Sequence, residues 1–173
     1  TICGTPVSGN LVDALGRTGS GNIFGADAYG TFEVISTPSE MVLQISLERG
    51  WCVASSSVYM GDGVSIPRDA NGNIDAENLP VQAIVLPIRN VYEITWPITS
   101  AMACPNTVWT CARLVLVEQD FLGNPFNDTP VWLEGQAADN SGSQYVAYCA
   151  ESCSPPPPPC AIPTLGPGSD LSA

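Results

Sequence analysis

The sequence predicts an all-β protein: an antiparallel β-sandwich, immunoglobulin-like or jelly-roll-like, with disulfide bonds and a polyproline C-terminal tail. Three observations support this prediction. Short β-forming segments recur at the spacing typical of sandwiches and barrels. Sixteen glycines and sixteen prolines interrupt the chain every few residues, which disfavours long helices. Seven cysteines occur in 173 residues without any C-x-x-C pair.

Alternation of apolar and polar residues locates the strands. At 41–48 every odd-numbered residue is apolar, which predicts one buried face carrying Met41, Leu43, Ile45 and Leu47. The longest predicted strand, 107–117, places Val108, Ala112, Leu114 and Leu116 on one face. The predicted strands are 31–35, 41–48, 52–60, 81–86, 91–96, 107–117, 131–133 and 144–149. The best helical candidate, 75–79, is a single turn.

Composition divides the chain into three parts. Residues 1–30 form a Gly-rich N-terminal segment, in which Thr5 to Leu15 is a possible donor strand with Val7, Leu11 and Leu15 as apolar anchors. Residues 31–153 form the predicted sandwich domain. Residues 154–173 form a tail that starts with a polyproline rod of about 15 Å, at roughly 3.1 Å per residue.

The cysteines indicate an oxidising compartment. The chain contains no histidine, which excludes mixed Cys/His zinc sites, and an all-thiolate site would need two close pairs. We therefore expect an extracellular or cell-surface protein with three disulfides and one remaining cysteine. The start at Thr1 without methionine is interpreted as a processed end, after removal of a signal peptide.

Only some of the disulfide pairing is predicted. Cys104 and Cys111 flank a Pro-Asn-Thr turn, so we expect them to form a local bond. One member of the group Cys149, Cys153 and Cys160 is expected to reach Cys3 or Cys52. The remaining pairs stay open, since six cysteines allow fifteen pairings.

The negative net charge restricts the kinds of molecule that the protein can bind. Net charge is −12, from 17 acidic residues and five arginines, and lysine is absent. Nucleic acids and anionic membrane surfaces need clustered basic residues, so neither is an expected partner. No stretch approaches the roughly 20 apolar residues that span a bilayer, so membrane insertion is not expected.

The lack of histidine and lysine also restricts the catalytic mechanisms that the chain could use. Serine and cysteine hydrolases use histidine or lysine as the base, and Schiff-base enzymes need lysine. Nucleotide-binding glycine motifs are also missing. We therefore interpret the protein as not an enzyme. A glycosidase that uses two carboxylates is the remote alternative, with candidates Glu33, Glu93, Glu118 and Glu134.

No cofactor is expected, although one loop suggests calcium. Oxygen-bearing side chains stand at alternate positions of this loop: Asp69, Asn71, Asn73, Asp75 and Glu77. Calcium loops use similar spacing, but the glycine and the final glutamate of an EF-hand are not in register here. The alternative is a connection built from Asx turns.

Possible glycan contacts are of two kinds. Asn127 begins the one N-glycosylation sequon, which Pro130 follows, and Pro155, Pro156, Pro157, Pro158 and Pro159 are attachment sites if they are hydroxylated. Four tryptophans, Trp51, Trp96, Trp109 and Trp132, would bind sugars if they formed an exposed row. Large aromatic residues in sandwiches more often belong to the core.

Several short motifs resemble a secreted β-rich domain of bacterial and algal surface proteins. Gly50-Trp51 and the later Val58-Tyr59-Met60-Gly61 resemble its "GW…LYVG" segment. Residues 112–117 resemble its "AAHAVV" strand, with Arg113 in place of histidine. Residues 129–135 and 144–148 resemble its Trp-containing and closing segments. Over residues 30–150, the resemblance implies an extracellular β-sandwich with a surface or matrix role and no catalytic residues.

Together these features predict a structural subunit of an extracellular filament, pilus or sheath. Copies would assemble head-to-tail by strand addition, through backbone hydrogen bonds to a neighbour's open sheet edge. The expected partners are copies of the same chain, with glycans possible. A carbohydrate-binding or adhesive surface module is the alternative, and it predicts exposed tryptophans.

Overall fold

The computed structural model describes residues 1–88 and 90–153, without the side chains of residues 85–88. In this part the chain forms antiparallel β-strands and two one-turn 3-10 helices, Ala76–Asn78 and Ser100–Met102. The strands are β1 (Cys3–Val12), β2 (Gly30–Ser36), β3 (Glu40–Leu47), β4 (Trp51–Gly61), β5 (Val81–Ile88), β6 (Val91–Pro97), β7 (Val108–Gln119), β8 (Pro125–Leu133), β9 (Gln136–Ala137) and β10 (Gln144–Tyr148). The predicted polyproline rod lies outside the described residues.

The eight predicted strands correspond to β2–β8 and β10, and their buried faces follow the alternation. Met41, Leu43 and Ile45 are fully buried, and Leu47 is half-buried. The inward residues predicted for β7 are buried as well. Local side-chain patterning therefore predicts these strands well, because one face of each packs on the core.

The first strand, β1, was not predicted as part of the fold. Its glycines and Pro6 hide the alternation, and its pairing with β2 shifts register between Cys3 and Val7. Glycine at position 9 leaves room for the Phe32 ring, since an added Cβ would lie 2.9 Å from it. Leu11 is nevertheless fully buried.

Across residues 1–88 and 90–153 the strands form one continuous sheet with two open edges. Its strand order is β5-β4-β7-β8-β1-β2-β3-β6, with the β9–β10 hairpin attached to β7. The first part of β1 pairs with β2, and its last two residues, Leu11 and Val12, pair with β8. The sheet therefore curls into a half-barrel. The antiparallel all-β prediction is confirmed, whereas the two-sheet sandwich stays a prediction.

One main core fills the concave side of the curled sheet. Phe32, Met41 and Leu43 enter it from β2 and β3, and Leu114 and Leu116 enter it from β7. Hydroxyl pairs cross this core: Ser56 with the Tyr92 hydroxyl at 2.8 Å, and Ser36 with the Tyr148 hydroxyl at 2.9 Å. These contacts place β6 across from β4, and β2 across from β10.

A second, smaller core lies on the convex side, under the connection between β4 and β5. We call residues 62–80 the cover segment. Its Ile66, Ile74 and Leu79 pack on side chains of the sheet that include Cys111 and Trp132. Part of this connection is the calcium candidate loop, Asp69 to Glu77. Its polar side chains are mostly exposed, while Ile74 and Ala76 are buried.

The predicted Cys104–Cys111 bond is wrong. Cys104 bonds to Cys149, with the Cα atoms 5.0 Å apart, and Cys111 is a buried thiol in the second core. Cys111 lies inside β7, where its neighbours across the sheet are β4 and β10 rather than the turn before β7. Cys52 is buried in β4, and Cys160 lies outside the described residues.

The expected link between the N-terminal segment and the end of the domain is confirmed. Cys3 bonds to Cys153, with the Cα atoms 4.7 Å apart. The strand pairing of β1 corrects the donor-strand assignment for Thr5 to Leu15, because residues up to Val12 belong to the chain's own sheet, between β2 and β8. Among the described residues no helix is long and apolar enough to cross a membrane.

Candidate functional site

The candidate carboxylates do not converge on one site. Glu33 and Glu93 lie on the convex face of β2 and β6, on either side of Gln44 in β3. At the usual strand spacing, this separates their backbones by about 10 Å. Gln44 donates a hydrogen bond to Glu93 at 3.4 Å. Glu134 follows β8 and accepts a hydrogen bond from the backbone N–H of Asn10 at 3.3 Å.

Glu118 is engaged in hydrogen bonds within the fold, one of which comes from the sequon residue Asn127. Glu118 is buried at the end of β7 and accepts a hydrogen bond from the Asn127 side-chain amide at 2.8 Å. Its other oxygen accepts the backbone N–H of Ile23 at 3.3 Å. The amide nitrogen that would carry a glycan is therefore already engaged. The candidate sites at Pro155–Pro159 lie outside the described residues.

The calcium candidate loop is organised by its own backbone. The Asp69 carboxylate accepts the N–H groups of Asn71 and Asn73 at 2.8 and 3.0 Å. Asp75 accepts a hydrogen bond from the side chain of Asn78 at 2.7 Å. The Asp69 contacts are those of an Asx turn, which is the alternative interpretation of this loop. Within the described residues no group of three or more His, Cys, Asp or Glu side chains is placed to hold a metal ion.

The tryptophans do not line up on the surface. Trp51, Trp96 and Trp132 are buried, the first two in the main core and Trp132 in the second core. Trp109 is half-buried, and its ring stacks on Tyr145 with the centroids 3.5 Å apart and the planes 3° from parallel. One face of the Trp109 ring is therefore already occupied by another side chain.

The open edge of β6 is the first surface that sequence patterns did not reveal. The N–H of Leu47 donates to the carbonyl of Asn90, and the N–H of Ile98 donates to the carbonyl of Ser39. Because bonded pairs alternate in an antiparallel ladder, even-numbered residues of β6 bond to β3. Backbone groups of Val91, Glu93 and Thr95 consequently face away from the sheet.

Across the core from this edge, part of the core-facing side of β5 is incompletely covered. Val81 and Ala83 of β5 pair with Val58 and Ser56, which face the core, so both lie on the core side. Both are only half-buried. Since β6 lies across from β4, a strand added to β6 would extend over these β5 residues.

Two further surfaces lie at opposite ends of the half-barrel. At one end, the β7–β8 turn carries an exposed pair, Phe121 and Leu122, which we call the apolar knob. At the other end, a depression of about 520 Å³ lies beside the start of β7, and we call it the end groove. Its lining residues include Met60, Asp62, Ala101 and Met102. The knob has a sequence signal, because two large apolar residues stand between Asp120 and Gly123-Asn124.

The chain matches no protein-family model, no curated protein and no solved structure at a significant level.

Proposed function

We propose that this protein is a structural subunit of an extracellular filament, pilus or sheath, whose copies join by strand addition. The observation that supports this most directly is the open edge of β6. A closed barrel has no edges, whereas the sheet formed by the described residues ends at β5 on one side and at β6 on the other. An unpaired edge is a template for a strand from another chain.

Edge β6 is the better acceptor of the two. It is rich in β-forming residues, carries the single charge Glu93, and has a proline only at its last position, Pro97. Natural edges that avoid pairing usually carry several charges or prolines. The β5 edge contains Pro87 within the strand, and proline has no N–H to donate.

The proposed partner is an extended strand of a second copy. The strand would hydrogen-bond to the free backbone groups of β6 and cover the half-buried Val81 and Ala83. If the added strand is the β5 edge of the second copy, the contact joins two different surfaces, β6 of one copy and β5 of the other. A contact of this kind generates a fibre unless its rotation closes a ring.

The extracellular assignment and the sandwich description are part of the same proposal. Two disulfides support an oxidising compartment. The acidic composition supports solubility outside the cell without nucleic-acid contacts. The hydroxyl pairs that link β4 to β6 and β2 to β10 across the main core support the sandwich description.

The decisive variant is Thr95→Pro. Proline there removes a free-edge N–H but leaves the β6–β3 hydrogen bonds intact, because residue 95 does not bond to β3. We expect Thr95→Pro to prevent filament formation by the purified protein, measured by light scattering and electron microscopy. Thr95→Ala, which keeps the N–H group, is the matched control and should assemble like the wild type.

Folding is checked separately by circular dichroism and thermal unfolding. Glu93→Pro is the second variant if Thr95→Pro is unstable, since Glu93 occupies an equivalent position on the same edge. Filaments from a folded Thr95→Pro protein, formed at the wild-type rate, would contradict strand addition at β6. Wild-type protein that stays monomeric at high concentration would contradict the proposed function itself.

A further inference from the structure

We infer that a pocket at one end of the half-barrel, which we call the turn pocket, binds a neutral sugar ring. The β3–β4 turn, the β7–β8 turn and the β1–β2 connection meet there and enclose about 440 Å³. This volume lies within the roughly 300–1,000 Å³ usual for small-molecule sites. Sugar binding at this pocket is independent of filament assembly, since the lining residues are not those of the β6 edge.

One wall of the turn pocket is the ring of Phe121, which is 82% exposed. The Phe24 ring packs edge-on against it, with the centroids 5.2 Å apart. Gly50 leaves room for Phe24, because an added Cβ would lie 2.6 Å from the Phe24 ring. The Asp120 carboxylate fixes the turn by accepting the N–H of Leu122 at 2.9 Å. Because the Phe121 ring is held in place, little conformational entropy is lost when a ligand stacks on it.

The charged side chains of the turn pocket disfavour a charged ligand. Glu48 and Asp120 are among the lining residues and repel anions. The Arg49 guanidinium lies over the Phe24 ring, 5.1 Å from its centroid, and repels cations. Carboxylates only accept hydrogen bonds and a guanidinium only donates them, whereas a hydroxyl does both. A neutral ligand with several hydroxyl groups can therefore bond to the acids and to Arg49 at once.

The indole of Trp51 adds a hydrogen-bond donor at the turn pocket. Trp51 is 2% exposed, and its ring N–H has no acceptor among the described residues. Leaving a buried donor unpaired costs free energy, so nearly all such groups in folded proteins have a partner. Since Trp51 also lines the turn pocket, we expect a hydroxyl of the bound ligand to pair with this N–H.

A sugar ring combines the properties that this lining requires. Its C–H faces are apolar and can stack on the exposed Phe121 ring, while the hydroxyl groups around its edge donate and accept hydrogen bonds. A sugar without a carboxylate, phosphate or amine also avoids repulsion from both kinds of charge at the pocket. Binding of this kind uses phenylalanine as the stacking surface and needs no exposed row of tryptophans.

Heteronuclear NMR of nitrogen-labelled protein tests the site directly, with the indole N–H signals assigned through Trp→Phe variants. The probes are glucose, galactose, mannose, xylose and N-acetylglucosamine. At least one of these sugars should shift the Trp51 signal in a saturable way. The Trp132 signal should stay unchanged, because Trp132 lies in the second core. Absence of a saturable Trp51 shift with every one of these sugars would overturn the inference.

A pair of substitutions in one turn tests the stacking surface. Phe121→Ala should weaken binding of the best sugar by roughly tenfold, because the aromatic face is lost. Leu122→Ala is the matched control: Leu122 is 87% exposed in the same turn but is not a lining residue of the turn pocket. This control should bind the sugar like the wild type. Equal affinity of the two variants would overturn the assignment of Phe121 to the site.

Charged probes test the ligand class, in the same NMR titration. Glucuronate is an anion, choline a cation and alanine a zwitterion, and each should bind at least roughly tenfold more weakly than the best neutral sugar. Binding of any of them as tight as that of the sugar would overturn the assignment to a neutral ligand. Thr95→Pro, which concerns only the β6 edge, should keep the wild-type sugar affinity. Monomeric wild-type protein that binds sugar would therefore contradict the filament and support the turn pocket.

Discussion

At the residue scale, Asp13 shows how one buried carboxylate organises a turn. One of its oxygens accepts the N–H groups of Leu15 and Arg17, at 2.9 and 3.1 Å. The other accepts the Arg17 guanidinium at 2.8 Å and the Tyr29 hydroxyl at 2.9 Å. Burial alone would raise the pKa of Asp13, but these hydrogen bonds outweigh it and hold the pKa below the usual value.

This carboxylate should make stability depend on acid pH. A pKa lower in the folded than in the unfolded state stabilises the protein above the unfolded pKa, and that contribution is lost as pH falls through the folded pKa. We expect Asp13→Asn to cost about 1–3 kcal/mol near neutral pH, because the amide nitrogen that replaces one oxygen cannot accept the Arg17 guanidinium and the Tyr29 hydroxyl. Its free energy of unfolding should also fall less steeply than that of the wild type below about pH 4.

Urea denaturation of both proteins at several acid pH values measures this difference. Asp62, Asp120 and Asp139 also have lowered pKa values and contribute equally to both curves. The comparison therefore isolates Asp13. Parallel pH profiles for the two proteins would rule out this role.

At the element scale, the cover segment packs over Cys111 and so controls the reactivity of its thiol. Burial raises the pKa of this thiol to about 12, and the nearby Asp139 carboxylate adds to the effect. The thiol donates a weak hydrogen bond to the carbonyl of Gln144 at 3.4 Å. Asp139 also holds the cover segment, by accepting the N–H of Ile74 at 2.5 Å. Access to Cys111 therefore requires the segment to open.

Alkylation should report this opening. We expect native Cys111 to react far more slowly than the same thiol in denaturant, because the thiolate is the reactive form. Asp139→Ala should speed the native reaction, since it releases Ile74 and removes a neighbouring negative charge. Peptide mapping by mass spectrometry follows Cys111 separately from the other cysteines. Asp128→Ala, at an exposed acid of β8, is the control and should leave the rate unchanged.

At the scale of the whole molecule, the Cys3–Cys153 bond joins the first strand to the end of the described domain. It closes a loop with a sequence separation of 150, against 45 for Cys104–Cys149. Loop-closure entropy predicts losses of about 5 and about 4 kcal/mol when each pair is replaced by alanine. Either loss is a large part of the 5–15 kcal/mol that typically stabilises a domain.

Urea denaturation of the two double-alanine variants measures these losses, and non-reducing peptide mapping verifies the pairing. The Cys3/Cys153 variant should be the less stable of the two. An unchanged unfolding free energy in that variant would show that β1 is held by its neighbours β2 and β8 alone.

The surfaces proposed for assembly and for sugar binding differ in how far they can be predicted. Phe121 and Leu122 are visible in the sequence as apolar residues within a turn, and a turn exposes its side chains. The free edge of β6 has no such signal, because Val91 to Trp96 has the composition of any strand. Which strand ends the sheet depends on the order of all the others, and strand order is a property of the folded chain.

The sequence by itself determined the class of fold, eight of the strands and the buried faces of β3 and β7. Those features are local, since alternation and β-forming side chains act within a few residues. Only the tertiary structure placed β1 in the sheet, paired Cys104 with Cys149, and left β5 and β6 as the ends. These outcomes depend on contacts between residues far apart in the chain, which the order of neighbouring residues does not encode.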